Sequence, residues 1–361
     1  MTTRRAFIKE AAGTMAGIVF TGCSLLDAAP ARAQAKPAGR RREVVVGGRR
    51  VKVIDVHAHC VIPEARVLQG LPVDNPIGPG IEEVGARRIR EMDEQGIDME
   101  ALSINPAWYR TERDLAAQVV RIQNEKLAEI CATYPDRFVA YASLALQYPD
   151  LAVQQLVEGV KKLGLRGAAI GASVAGADFS DPKFHPVWAK AEELGVLLFI
   201  HPQSTPELNN RFKGNGWLSN TIGNPLDTTI ALSRLIFEGT LDRFPGLRIC
   251  AAHGGGFLPS YAPRSDNSCR VNPAQCNPGI ALKKKPTEYL RGLYFDSLIF
   301  TPEALRHLAA EVGSSQIVLG TDHPIPWQDK GVDHILGTPS LSDAEKVAIL
   351  GGTAARLLGI K

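Results

Sequence analysis

Three observations predict an α/β protein built as a single closed (β/α)8 TIM barrel. First, eight short apolar runs alternate with amphipathic stretches from about residue 50 to the end of the chain, the pattern of a parallel sheet with crossover helices. Second, the first run ends in His57-Ala58-His59. A doubly wound open sheet, the competing architecture, would usually place a glycine-rich phosphate loop there. Third, later runs lead directly into His201, His253 and Asp322, and in a barrel the side chains that do chemistry gather at the C-terminal ends of strands.

The elements follow in order. Strands are predicted at 51–56, 97–104, 138–144, 165–170, 196–200, 247–252, from 293 to 295, and at 316–319. Residues 81–95 show helical periodicity and stop at Gly96, and a long helix over 111–134 is stopped by Pro135. A third helix, 149–163, closes at Gly164; a fourth opens at Asp181-Pro182 and ends at Gly195. Further helices are predicted at 225–238, from Thr301-Pro302 onward, and within 341–358. The stretch 263–286, with several Pro and Asn and a Gly at 279, reads as a loop excursion between strands six and seven.

The bulk properties narrow the class. At 361 residues, 45% hydrophobic and 22% charged, the chain has the composition of a soluble globular protein and no apolar run of membrane-spanning length. A net charge of +3 gives no support to a nucleic-acid partner. The basic clusters Arg40-Arg41-Arg42 and Arg49-Arg50 read as a solvated linker.

The N-terminus reads as a targeting segment. Arg4-Arg5-Ala6-Phe7-Ile8-Lys9 resembles the twin-arginine export motif, an apolar stretch runs from Ala11 to Phe20, and small-x-small cleavage sites lie at Ala31-Arg32-Ala33 and Ala33-Gln34-Ala35. The expected division is a signal peptide over 1–35, a linker over 36–50 and the barrel over 51–361, with a periplasmic or exported location. A competing reading takes Phe20-Thr21-Gly22-Cys23 as a lipoprotein box that would anchor the chain through Cys23. Of six cysteines none forms a Cys-x-x-Cys pair; Cys269 and Cys276 share one segment and suit a disulfide in an exported protein.

Residues two apart on a strand share a face, so His57 and His59 project together with Asp55 one step deeper, as half of a metal site would. With His201, His253 and Asp322, five polar residues occupy the ends of four strands, too many to assign to packing. His185, His307 and His334 fall in helices or loops and read as structural. His323 is left open. Asp55 is read either as an orienter of a ligand histidine or as an anchor for its strand.

These residues carry a resemblance. Val53–His59, Phe199-Ile200-His201-Pro202, Ala252-His253-Gly254-Gly255-Gly256 and Gly320-Thr321-Asp322-His323-Pro324 are similar to the amidohydrolase superfamily, and within it to the decarboxylase branch typified by aminocarboxymuconate-semialdehyde decarboxylase. The segments 88–98, 224–239 and 353–359 agree with it. The resemblance implies that His57, His59, His201 and Asp322 hold one divalent metal, zinc by expectation with manganese as the alternative. It implies that His253 is the general acid/base and that Asp322 doubles as ligand and proton acceptor. Arg264 falls where such enzymes place a carboxylate-binding arginine, and Trp217 where they place an aromatic wall. The run of glycines after His253 would let a substrate approach the backbone. The partner implied is a small carboxylic acid, and a homodimer is compatible.

The chain also departs from the pattern. Strand four, 165–170, carries no lysine, which points away from a binuclear site. The loop 60–80 lacks a Phe-Arg pair, and Gln203-Ser204 follows His201-Pro202 where the branch has Trp-Asp. The expected reaction is non-oxidative decarboxylation of a small unsaturated or aromatic acid. Hydrolysis or hydration of an ester, lactone or amide at the same ligands is the alternative, and a non-catalytic metal or ligand binder is the alternative of another class.

Overall fold

The computed structural model describes residues 41–74, 80, 83–203, 205–276, 279–327 and 330–361. The export-signal and lipid-anchor readings, on residues 1–35, lie outside the described residues.

All eight predicted strands are present: β1 Ile54–His59, β2 Met99–Ser103, β3 Phe138–Ala140, β4 Gly167–Ile170, β5 Leu197–Ile200, β6 Arg248–Ala251, β7 Tyr294–Asp296 and β8 Ile317–Val318. Adjacent strands pair in parallel in two runs, β1 to β3 and β4 to β8. Parallel bridges from Ala142 to Ala168 and from Ala58 to His323 join the two runs. The Val56 amide also donates to the Leu319 carbonyl at 2.9 Å. The sheet therefore closes in sequence order, and no edge is left to protect.

Closure explains why the strands read as unbroken apolar runs. Both faces of each strand are covered, one by the barrel interior and one by helices. Leu197 and Phe199 join an inner cluster with Ile54, Val56 and Tyr141, whereas Leu198 and Ile200 join the layer beneath the helices. Gly167 marks a place where no side chain fits: its φ is +123°, and a Cβ would collide with the Leu197 carbonyl oxygen on the neighbouring strand. Gly167→Ala is expected to destabilise the fold by about 1–3 kcal/mol, to be read from the midpoint of denaturant unfolding.

Helix boundaries follow the local signals. Ala86–Gln95 ends at Gly96 with φ 79°, and His185–Leu194 ends at Gly195 with φ 63°. The Thr301 hydroxyl caps Pro302–Val312 by accepting from the Ala304 amide at 3.2 Å. No described helix is long and apolar enough to cross a membrane.

Two expectations are corrected. Part of the presumed linker is a β-hairpin, Val45–Val46 against Arg49–Arg50, turned at Gly47-Gly48, with Val44 and Val46 buried. Three arginines in and before the hairpin form ion pairs. Arg41 and Arg50 both pair with Asp98, whose other oxygen accepts from the Val53 amide at 2.7 Å, and Arg42 pairs with Asp333. The second correction concerns 263–286, which begins inside a helix, Leu258–Val271, that accommodates Pro263. Two short helices follow, Pro273–Cys276 and Pro286–Leu290. Cys269 and Cys276 are disulfide-bonded, with Cα atoms 4.9 Å apart, within the span such a bond requires.

Candidate metal centre and active site

Strand ends bring four buried side chains into one cluster. The candidate ligand atoms of His57, His59, His201 and Asp322 all lie within 4.8 Å of one another. His59 Nε2 is 2.8 Å and His57 Nε2 is 3.1 Å from Asp322 Oδ1, and His201 Nε2 stands 4.0 Å from the same oxygen. The backbone sets this arrangement before the side chains do. The Asp322 amide donates to the His57 carbonyl at 2.8 Å, and the His59 amide donates to the His323 carbonyl at 2.6 Å.

The donor set fits a single divalent cation. Three imidazoles and one carboxylate suit zinc or manganese. The sharper observation is His201: both its ring nitrogens are buried without a hydrogen-bond partner. Burial costs such atoms free energy unless something binds them, and a cation among these four groups satisfies Nε2.

The electrostatics agree. For His201, burial is the largest influence, and with the neighbouring imidazoles of His59, His57 and His253 it holds the ring well below its ordinary pKa, as a neutral ligand requires. Burial also works against the Asp322 charge, but His57 and its hydrogen-bonding neighbours outweigh it and keep the carboxylate ionised. At His57, burial would lower the pKa, yet Asp322 and Asp296 together raise it to about 10. Protons and a cation therefore compete for the same nitrogens.

The ligand rings are fixed from behind. Ser103 Oγ, at the end of β2, lies 2.9 Å from His59 Nδ1. Asp296 Oδ2, at the end of β7, lies 2.6 Å from His57 Nδ1. The other Asp296 oxygen accepts from the amides of Gly254, at 2.9 Å, and Leu298, at 3.2 Å. Sequence reasoning missed Asp296, although it stands at a strand end just as Asp322 does; a carboxylate closing the run Tyr294-Phe295 was the available signal. A carboxylate behind a ligand imidazole fixes its tautomer and raises its basicity. Asp296→Asn is thus expected to weaken metal binding by roughly 10–100-fold, as measured by competition with a chromophoric chelator.

Asp55 takes the second of its two readings. It accepts from the His57 amide at 2.9 Å and the Thr321 amide at 3.2 Å, and it also bonds the Thr321 hydroxyl. It therefore ties β1 to the segment after β8 rather than touching an imidazole. Burial, helped by the charge of Glu100, lifts its pKa to about 7.

His253 sits beside the cluster on a left-handed turn with φ 56°. Its Nε2 is 3.9 Å from Asp322 Oδ2, its ring centroid is 5.2 Å from those of His57 and His201, and its Nδ1 has no partner. It lines a cavity of about 350 Å³ with Phe257, Leu298, Ile299 and Trp327 as apolar walls and Asn220, Thr221 and Asn224 as neutral polar groups. The glycines after His253 serve packing more than access. Side chains at Gly254 and Gly255 would strike Ile299 and Phe295, and one at Gly256 would strike the Pro225 carbonyl.

The two expected substrate contacts are not brought to this cavity. Arg264 is exposed on Leu258–Val271 and lines a separate cavity with Leu226, Phe237 and Tyr261. The cause is the helix itself, which turns Arg264 onto an outer face where a loop was expected. Trp217 is also exposed, and stacks on Trp327 with ring centroids 5.4 Å apart. Trp327, which sequence reasoning passed over, supplies the aromatic wall, and Trp217 backs it. His323, left open from sequence, faces away from the ligand set: its Nδ1 is 2.6 Å from Glu100 and its Nε2 3.1 Å from Glu91.

A closed parallel barrel with a His-x-His pair on β1, further ligands after β5 and β8 and a histidine after β6 defines a metal-dependent barrel of the amidohydrolase type. The amidohydrolase family model matches residues 54–360, and the chain belongs to that family. Among its relatives is a 2-amino-3-carboxymuconate-6-semialdehyde decarboxylase from Dictyostelium discoideum, 30% identical over 76% of each chain. Similar solved structures include 5-carboxyvanillate decarboxylase from Sphingomonas paucimobilis, with a TM-score of 0.79 and 26% identity over 86% of this chain and all of that one. Another is a dihydroxybenzoic acid decarboxylase from Polaromonas sp. JS666, solved with manganese and the inhibitor 2-nitroresorcinol. It has a TM-score of 0.76 and 28% identity, covering 86% of this chain and 97% of that one.

Proposed function

We propose that this protein is a metal-dependent, non-oxidative decarboxylase of a small aromatic or unsaturated monocarboxylic acid. The observation that carries the reading is His253, set between the His57, His59, His201 and Asp322 cluster and a largely apolar cavity. The decarboxylases among its relatives support it.

The four clustered residues would hold one divalent ion, zinc or manganese. When bound, such an ion supplies Lewis-acid charge that orients the acid and stabilises negative charge developing on it. The chain's own residues do the rest. Leu298, Ile299, Phe257 and Trp327 hold a flat ring and keep water from it, while Asn220, Thr221 and Asn224 offer neutral hydrogen bonds to ring hydroxyls. The bond from the ring to the carboxylate breaks, carbon dioxide leaves, and its electron pair stays on the ring carbon. His253 delivers the proton that replaces it.

The cavity's charge favours a monoacid. No lysine or arginine is among its described lining residues, and the undescribed residues between 41 and 361 include none either. A second carboxylate would be desolvated there without a cationic partner. Carbon dioxide release should therefore favour hydroxybenzoic monoacids over matched diacids. Equal or better turnover of the diacids would overturn the monoacid assignment, and ester or lactone cleavage without carbon dioxide would overturn the reaction.

Export by the twin-arginine route belongs to the same proposal, supported by the N-terminal motif and by the Cys269–Cys276 bond, which persists in oxidising compartments. A reporter fused to residues 1–35 that stays inside cells would contradict it. Self-association as a homodimer is also retained, with sedimentation velocity as its test.

A further inference from the structure

A buried charged network lies behind the ligand cluster, and none of its members touches the cavity. Glu100 on β2 is fully buried and uses both carboxylate oxygens. Oε2 accepts from Arg88 Nε at 2.7 Å, and Oε1 is 2.6 Å from His323 Nδ1. Each partner then reaches a ligand-bearing segment. Arg88 Nη1 donates to the main-chain carbonyl of His59 at 2.6 Å. His323 follows Asp322 directly, and its carbonyl accepts from the His59 amide at 2.6 Å. On the outer side, His323 Nε2 is 3.1 Å from Glu91, which also pairs with Arg87 at 2.9 Å.

The fold alone does not call for this arrangement. Burying several charges costs desolvation free energy, and apolar residues of similar size often stabilise as well or better. What the network does that apolar packing cannot is fix direction. Through one carboxylate it pins the carbonyl of His59 and the ring of the residue beside Asp322, so two ligands on strands at opposite ends of the sequence keep one spacing.

We propose that Glu100, acting through Arg88 and His323, is the positioning residue of the metal centre and sets its affinity. This rests on the metal reading above. The test uses the full chain and Glu100→Gln, which keeps the shape and removes the charge, with Glu91→Gln as a second variant because Glu91 is half-buried and its loss leaves the barrel interior intact. Zinc and manganese dissociation constants are measured by chelator competition, and melting temperatures with and without metal. Glu100→Gln should weaken binding at least about tenfold, and Glu91→Gln less but in the same direction. The rise in melting temperature on adding metal should shrink in step, and Glu100→Asp should recover part of the affinity.

A merely structural role would lower both melting temperatures together and leave their difference and the dissociation constant unchanged, which would overturn the proposal. Should Glu100→Gln not fold, Glu91→Gln decides alone: unchanged affinity there overturns it. Failure of the underlying reading looks different, because wild-type protein would then bind no metal.

Discussion

Replacing His253 with alanine should cut turnover roughly 10²–10⁴-fold, the usual contribution of a positioned acid/base group, while metal content stays near one ion per chain. The two outcomes separate because His253 borders the cluster without belonging to it. Its Nε2 lies 3.9 Å from Asp322 Oδ2, and it is absent from the set His57, His59, His201 and Asp322. Its side chain lines the cavity, and its Nδ1 has no hydrogen-bond partner. Substrate affinity should change little, since the apolar walls are untouched. Metal analysis of the purified variant beside its rate decides the matter: a variant that loses its metal makes His253 a ligand, and one that keeps its rate removes it from the chemistry.

The second large effect is expected at His201. His201→Ala should release the ion on dialysis and abolish activity, because it leaves three of the four donors, two imidazoles and the Asp322 carboxylate they already contact. It should also remove the stabilisation that metal gives, which for a ligand at 100 times its dissociation constant is about 2.7 kcal/mol. A related pH effect carries a definite sign. His57 is raised to about 10 by Asp322 and Asp296 against the opposing effect of burial. A proton must leave before a cation binds, so apparent metal affinity should rise with pH from neutrality towards about 10. Calorimetry in buffers of different ionisation enthalpy would show the released proton. Metal uptake with no proton release, or a His201→Ala variant that holds one ion, would contradict this account of the cluster.

The candidate ligands and acid/base read from the sequence share one property. His57, His59, His201, His253 and Asp322 all close runs whose neighbours are buried on both sides, as Leu197 to Ile200 are, so the strand end was visible as a change from apolar to polar. Most strand boundaries shifted by a residue or two; the first strand runs three residues further, through His57 and His59, and the third stops four residues earlier, at Ala140. The hairpin before β1 escaped because two-residue strands have no periodicity, although its Gly-Gly turn was in view. The helix around Pro263 escaped because proline and polar residues masked an amphipathic face, so Arg264 lies on a helix where a loop was expected.

Long-range pairings were the least legible. Nothing near Glu100 in the chain points to Arg88 and His323 together, since His323 lies 223 positions away. Asp296 is the intermediate case. Its strand end was readable, but the imidazole it holds, 239 positions earlier, was not. Barrel closure brings β1 beside β8 and places β7 within reach of both, and only the folded chain displays that neighbourhood.

The claim that unites these features is decarboxylation, with a proton supplied beside a single metal centre. It is tested most directly by incubating metal-loaded protein with a hydroxybenzoic monoacid in deuterated water, following carbon dioxide and the product by mass spectrometry and NMR. One carbon dioxide per product and one deuterium at the carbon that carried the carboxylate are expected, with the signal lost in His253→Ala. Cleavage of ester, lactone or amide substrates with oxygen taken from water, and no carbon dioxide from any acid tested, would contradict it.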